Sequence, residues 1–538
     1  MSESYDVIIV GAGTAGCVLA DRLTMSGKLK VLLLEAGGFP KNRFISVPAG
    51  FAKLFKSEVD WHFESEPQDG AGGRRIFTPR GKMLGGCANM NAMIHQWCHP
   101  ADFDGWRDMG AEGWAWEDVA PVFKSMECLL GDEGGSDRGR TGPMFVTPNR
   151  NARSLTRDFV VASRKVGLGN DPEYNGRAYQ GAWVAELAHK DGRRFSCYDA
   201  FLKPAMRRKN LNVMTDAHVV RLVIENRTVS GVKVRRGGVD TTYQSRGVAL
   251  TAGALASPQL LLLSGLGPQA ELGPFGIDVV KDLPQVGKQL QEHPILPMVF
   301  KSSSQDTLLK AESLMNVLRY LVLKKGMLAS NGAEGIAFTQ IVPGHVSAPD
   351  LELIFLPFEH RSDLLEPPTI HAFSIGAAVV APKSRGQVTL QSDDPHIAPK
   401  IDFGLLTDPE GIDARVLWGG VSLARDIAGT MPLAAQNLGE LRPGSDVTTE
   451  DELLSYAAEQ IQTVYHPSST CSMGSTSHSV VDSRLKLRGF EGLWVADASV
   501  MPTVPRGHPN AVVAMIAERA AGWIQSDLGC RISRIPFP

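Results

Sequence analysis

The stretch that most constrains this chain is Tyr5 to Gly38, which reads as strand, glycine turn, helix, strand and acid. Asp6-Val7-Ile8-Ile9-Val10 is short, apolar and β-branched, as a buried parallel strand requires. Gly11-Ala12-Gly13-Thr14-Ala15-Gly16 follows at once. Gly11 permits a tight turn, Gly13 lets backbone approach a pyrophosphate, and Gly16 lets a helix pack on the strand. The helix expected from Thr14 to about Thr24 would point its free N–H groups and partial positive charge at that phosphate. Val31 to Leu34 is the second strand, and Glu35 at its carboxyl end can accept hydrogen bonds from both hydroxyls of an adenosine ribose. A lone G-x-G-x-x-G is weak. Here strand, helix and an acid roughly 20 residues on accompany it, which makes dinucleotide binding the reading. The acid disfavours a 2′-phosphate and hence NADP; this stretch does not separate FAD from NAD.

At 538 residues the chain can hold a large core and more than one domain. A formal net charge of −3 gives no electrostatic case for nucleic acid or an anionic membrane. Seven scattered cysteines without a C-x-x-C pair fit a reducing compartment. The first residues, MSESYDVIIVGAG, carry acids and no basic region, so no secretory signal is expected. No uncharged apolar run approaches the ~18 residues of a membrane span. The expectation is a soluble cytoplasmic protein.

Residues 37–61 are loop-rich, with Phe39, Phe44, Phe51, Phe55 and Trp61 either forming a lid or tucking into the body. Residues 80–91, RGKMLGGCANMN, suggest backbone lying against a flat or charged ligand or a structural turn. Residues 102–130 read as helical in pieces around Trp106, Trp114 and Trp116, and 131–141 as a polar loop. Helices are expected over 154–166 and 196–208. Residues 211–236 alternate apolar and polar, as in an antiparallel meander turning at 225–227. The strand 248–251 leads into a helix expected to begin at Pro258 and end near Gly265. The apolar segment 314–323 is expected to pack in the core. Residues 351–356, 372–381 and 386–390 suggest a second, antiparallel sheet, and 492–497 is a strand ending in Asp497, followed by a helix over 511–525.

Two loops could carry chemistry. In Thr463-Val464-Tyr465-His466-Pro467 the proline holds His466 in extended or turn backbone, where a histidine is either catalytic or structural. In Met501 to Ala511 three prolines stiffen a loop on which His508 and Asn510 flank Pro509, either a platform for a polar site or a rigid connector. His95 and His99 have i, i+4 spacing without an H-E-x-x-H motif, so no metal is expected. No G-x-S-x-G is present, which disfavours a serine hydrolase.

Taken together, these segments resemble the glucose-methanol-choline (GMC) oxidoreductases, FAD-dependent enzymes that oxidise alcohols. Residues 5–38 are similar to the family's FAD fingerprint, 80–91 with His99-Pro100-Ala101-Asp102 to its first signature, and 253–267, GALASPQLLLLSGLG, to its second. Residues 283–293 are similar to a further family stretch, and the His466 and Asn510 loops to its two catalytic segments. The resemblance implies an α/β fold with a discontinuous Rossmann-type FAD-binding domain, residues 1–155, 195–300 and 465–538. It also implies a substrate domain with an antiparallel sheet and flanking helices, residues 156–194 and 301–464. Gly11, Gly13, Thr14, Ala15 and Gly16 would form the phosphate turn. Glu35 with Ala36 would hold the ribose, and Val219 would meet the adenine through its backbone. Trp61, Arg80, Gly81 and Gly86 would border the cofactor, and Asn91, Ala92, Met93 and Ile94 would line the pyrophosphate and flavin. Asp497 and Ala498 would reach the ribityl side, and Pro509, Asn510 and Ala511 the flavin ring.

The implied reaction is oxidation of an alcohol to an aldehyde or ketone by hydride transfer to flavin N5. His466 would be the base, with an ordinary imidazole pKa of ~6.5, and Asn510 the hydrogen-bond donor to the developing alkoxide. A primary alcohol is favoured; molecular oxygen or another electron acceptor would take the electrons. A non-redox lyase of the hydroxynitrile lyase type on the same fold is the alternative. Several positions depart from the family pattern. Met90 stands where some members carry a histidine bonded to the flavin, so FAD is expected to be non-covalent. Cys87-Ala88, Trp97-Cys98, Arg506 and His508 replace residues common in the family, the last three changes being expected near the substrate.

Overall fold

The computed structural model describes residues 4–131, 137–169, 174–175, 179–344, 348–477 and 479–530. Its first sheet is built on Ser4–Val10, which lies between Val31–Leu34 and the second half of the long strand Val239–Leu250, all parallel. Leu493–Val495 adds in parallel to Val239–Leu250. Helices cover the parallel part, so strands such as Val7-Ile8-Ile9 and Leu32-Leu33 are fully buried, matching their unbroken apolar sequence. The first half of Val239–Leu250 instead pairs antiparallel with Thr228–Arg236, which forms a hairpin with His218–Glu225. That hairpin turns through Asn226 and Arg227, both at positive φ, as expected. Leu211–Met214 does not join the expected meander: it is a parallel edge strand against Val31–Leu34. An alternating edge strand carries the same pattern whichever way its partner runs.

The helices Thr14–Thr24 and Asn510–Asp527 pack side by side, joined by Arg22 Nε donating to both oxygens of Glu518 (2.9 and 2.8 Å). A third helix begins at Gly253, not Pro258, and runs to Leu263 with the proline inside it. Two contacts explain this. Asp497 Oδ2 accepts from Gly253 N–H (2.8 Å) and Ser257 Oγ (2.6 Å), capping the true N-terminus. The Ala254 carbonyl, which Pro258 cannot serve, accepts from the Thr470 hydroxyl instead (2.7 Å). Residues 196–208 are not one helix; Tyr198–Leu202 winds as a π-turn before the short helix Lys203–Ala205, where Pro204 has no N–H for a regular ladder.

The second sheet is antiparallel, in the order Asn437–Arg442, Pro294–Ser302, Ala372–Val379, Leu351–Leu356, Gly335–Thr339, Gly181–Val184. The helices Ser154–Lys165 and Ile412–Ala428 bury Leu155, Phe159, Val416 and Val421 against Phe355, Phe373 and Ile375. Residues 294–300, grouped with the FAD segments by the sequence, pair within this sheet. Gln387–Thr389 forms a separate ribbon with Lys400–Asp402 rather than joining it. Trp106 and Trp114 are fully buried, as expected. Of the loop 131–141, residues 132–136 lie outside the described residues.

One expectation fails outright. The helix Leu314–Leu323 does not pack in the core; most of its apolar side chains are exposed. Periodicity reports an apolar face but not what that face meets. Among the described residues, no helix is long and apolar enough to cross a membrane.

Candidate active site

A cavity of about 460 Å³ runs from the carboxyl ends of the parallel strands to the antiparallel sheet. Its first half is a glycine cradle. Gly11, at φ +100°, turns the chain where a side chain would meet the Thr251 carbonyl oxygen at 2.7 Å. A side chain at Gly16 would lie 1.9 Å from the Gly11 carbonyl oxygen, so this glycine serves helix–strand packing and does not line the cavity. Gly86 presses on Gly13, with only 2.7 Å between its Cβ position and Gly13 Cα. At Gly13 itself, a side chain would meet nothing within 4 Å and would project into open space. That is the geometry a pyrophosphate needs beside the helix starting at Thr14. The Thr14 hydroxyl donates to Asn510 Oδ1 (2.7 Å), so two helix N-termini meet at this wall.

Glu35 closes the cradle. Its carboxylate accepts from Ala12 N–H (2.9 Å) and Gly37 N–H (2.8 Å), while burial pushes its pKa up to about 7. Ala15, Ala36, Trp61, Arg80, Gly81 and Val219 border the same half, as do Asn91, Ala92, Met93 and Ile94. Asn91 is fixed by Arg194, which donates to its Oδ1 (2.8 Å) and its carbonyl (2.7 Å). Asp497, Ala498 and Pro509 also line the cavity, whereas Ala511 is buried beside it. Both Asp497 oxygens are already taken, Oδ2 by Gly253 and Ser257 and Oδ1 by Ser499 N–H and Oγ. Only its backbone is left for a ligand.

The second half is where two loops converge. His466 is partly buried and faces the cavity, its backbone N–H donating to Glu292 Oε1 (2.6 Å) and its Nδ1 3.1 Å from His293 Nδ1. One of those two nitrogens carries the proton and the other accepts it, so the bond couples the tautomers of the two rings. Burial, reinforced by His508, His293 and Arg80, holds the His466 pKa well below the ordinary imidazole value. The ring nearest to it across the cavity is His508, with centroids 4.9 Å apart and planes at 86°. His508 Nε2 bonds Glu352 Oε1 (3.1 Å), and its N–H donates to Gln96 Oε1 (2.9 Å). Asn510 lines the cavity too, but its side-chain oxygen is engaged by Thr14. Among the described residues, the buried atoms without a partner here include Glu292 Oε2, His293 Nε2 and Glu352 Oε2.

Two suspected pocket residues stand elsewhere. Arg506 neither lines the cavity nor lies on the surface. Its side chain and N–H bind Asp102, and its Nε donates to the Pro349 carbonyl (2.7 Å), tying the His508 loop to the helix Pro100–Asp108. Trp97 stacks on Phe123 and donates to Glu127 Oε2 (2.9 Å), in the core. Glu352, His293 and Glu292 have no sequence motif pairing them with His466, because sheet pairing brings them there. His508 was visible as a neighbour of Pro509 and as a departure from the family pattern near the substrate, but not as a partner of His466.

Residues 5–295 and 382–517 match the N- and C-terminal GMC oxidoreductase family models. A GMC-type oxidoreductase of Mycobacterium bovis is 41% identical over 98% of this chain and 100% of its own. An alcohol dehydrogenase [acceptor] of Pseudomonas putida is 36% identical over 96% of this chain and 95% of its own. The crystal structure of pyridoxine 4-oxidase from Mesorbium loti superposes with a TM-score of 0.88 at 29% identity, over 96% of this chain and 98% of that one. The chain therefore belongs to the GMC oxidoreductase family and is an FAD-dependent oxidoreductase.

Proposed function

We propose that this protein oxidises an uncharged, largely apolar primary alcohol, with His466 taking the hydroxyl proton. The coarser reading, alcohol oxidation by a GMC enzyme, rests on the family. The finer one rests on a single observation: two imidazoles, His466 and His508, perpendicular at 4.9 Å on a cavity wall that also carries aliphatic side chains and His360, and no free carboxylate.

Gly13 and the two helix N-termini at Thr14 and Asn510 would hold the FAD pyrophosphate, and Glu35 the adenosine ribose. Bound FAD supplies the two-electron acceptor. His466 is kept neutral by burial, so it can accept a proton at neutral pH. For Nε2 to be its accepting atom, Nδ1–H donates to His293 Nδ1. His508, held by Glu352 through Nε2, presents its other nitrogen as the second hydrogen-bonding group for the substrate oxygen. Asn510 is then assigned to the cofactor side with Thr14, in place of the alkoxide role expected of it. Arg506 positions the His508 loop without touching substrate. Met90 offers no nucleophilic nitrogen, so FAD is held non-covalently; acid precipitation of the holoenzyme is expected to leave all the flavin in solution.

The substrate class follows from the lining. The cavity wall beyond the cofactor half carries Ile295, Ala333, Ile354, Leu356 and Val464, which pack together. The only carboxylates lining the cavity among the described residues are Glu35 and Asp497, in the cofactor half and already hydrogen-bonded. A cationic alcohol would be desolvated without a counter-charge, at a cost of several kcal/mol. An alcohol panel with oxygen, then with an artificial acceptor, tests this. Benzyl alcohol and medium-chain alkanols are expected to exceed choline and glucose in kcat/KM by about 100-fold or more. Preference for choline or a sugar would overturn the substrate assignment.

A further inference from the structure

The helix Leu314–Leu323 is inside out. Leu314, Met315 and Val322 are 75%, 74% and 78% exposed, and Leu318, Leu321 and Leu323 are exposed as well. The face turned to the body carries Asn316, Val317 and Tyr320. Asn316 Nδ2 donates to the Lys310 carbonyl (2.8 Å), and Tyr320 Oη to the Ser46 carbonyl (3.3 Å). A surface helix of a globular protein normally does the reverse. Six large apolar side chains on one short helix, two of them a turn apart from two others, are an interaction surface rather than scattered exposure.

The charge around this face is mostly positive. Lys310 precedes the helix, Arg319 lies within it and Lys324-Lys325 end it; Lys310, Arg319 and Lys325 are exposed. Of the nearby acids, Glu312 is paired with Lys53 (2.9 Å). Exposed Asp191 flanks Gly192, which packs on Lys324, and is followed within two residues by exposed Arg193. The helix is also joined to the wall of the cavity. Ser46, which Tyr320 binds, belongs to the same segment as Phe51 and Phe55, both of which line the chamber.

We infer that this helix docks the protein on the surface of an anionic phospholipid bilayer. The leucine face enters the boundary between headgroups and acyl chains, and the lysines and arginine meet the phosphates. Ten residues are too few to span a bilayer, so the helix lies in the interface. The cations favour this occupant over a second copy of the chain, because twofold pairing of this face would bring like charges together. The inference does not rest on the proposed alcohol or on His466.

Sedimentation of the FAD-loaded full chain with vesicles tests it. We expect 1:1 phosphatidylglycerol–phosphatidylcholine vesicles to bind it about 10- to 100-fold more tightly than phosphatidylcholine alone, from about three cations. Leu318→Glu/Val322→Glu is expected to reduce binding to the anionic vesicles at least about tenfold. Lys310→Gln/Arg319→Gln/Lys325→Gln is expected to bring it near the phosphatidylcholine level. Both variants alter exposed positions, so unchanged flavin content and melting temperature serve as the folding control. The inference is overturned if the wild type stays in the supernatant with both vesicles, or if Leu318→Glu/Val322→Glu binds as the wild type does. It is also overturned if light scattering finds a dimer that this variant dissolves while vesicles capture nothing, which would assign the face to a second copy.

Discussion

Glu127 and Glu352 are both buried carboxylates bonded to an imidazole, His95 at 2.9 Å and His508 at 3.1 Å, yet their surroundings are opposite. Glu127 is saturated: Arg138 donates to both its oxygens at 2.8 Å, and Trp97 and His95 add two more bonds. These donors outweigh burial and hold its pKa down to about 2. Arg138 continues to Glu186, so each charge in the cluster has a partner. Among the described residues, the Glu352 side chain has one bond, and its Oε2 is buried without any. The same shortage marks Glu292 and His293 beside it. A folded chain rarely leaves such groups half-satisfied, since each costs about 1–3 kcal/mol. The Glu127 cluster is therefore read as fixing the fold, and the Glu352 cluster as positioning the two imidazoles that face the cavity.

Paired substitutions sharpen the contrast. Glu127→Gln is expected to lower unfolding free energy by about 3–5 kcal/mol, because it leaves Arg138 partly uncompensated. The kcat of the folded fraction should stay within about twofold. Glu352→Gln is expected to do the opposite: a stability change of about 1 kcal/mol or less, and a kcat lower by about 10- to 100-fold from a weakened bond to His508. Urea unfolding and turnover measured on the same preparations decide it. Comparable stability losses in both variants would erase the distinction.

Acid separates the two regions as well. The Glu127 carboxylate has a folded pKa near 2, below its unfolded value of about 4.3. The stability it contributes is present above pH ~4.3 and is lost as pH falls toward 2. His466 has a depressed pKa also, but its consequence is kinetic. It must be neutral to accept a proton, so kcat/KM should lose nothing to this group until pH is well below 6.5. A stability loss between pH 4.3 and 2 that persists in Glu127→Gln, or a kcat/KM limb at pH 6.5, would each break one half of the comparison. A smaller effect is expected at Arg506→Lys. It keeps the charge but loses the forked contact to Asp102 and Pro349, which should cost a few-fold in kcat/KM.

The legible part of this molecule was local. The cradle from Gly11 to Gly16, Glu35 and the Asp497 strand are fixed by neighbours within a few dozen residues, so spacing alone identified them. Long-range pairing was not legible. Glu352 reaches His508 because Leu351–Leu356 is an interior strand of the second sheet, and His293 reaches His466 because Pro294–Ile295 pairs with Gln462–Thr463. Pro258 misplaced a helix start because the Thr470 hydroxyl that rescues its missing bond lies far along the chain. The helix at 314–323 was misjudged because composition cannot say which face turns outward.

The most direct measurement is anaerobic mixing of an apolar primary alcohol with FAD-loaded wild type and His466→Ala, following loss of the flavin's yellow absorbance. The expected result is equal flavin content, rapid bleaching of the wild type, and bleaching of the variant slowed by about 10²–10⁴-fold. Equal bleaching rates in the two proteins would contradict the assignment of His466 as the proton acceptor.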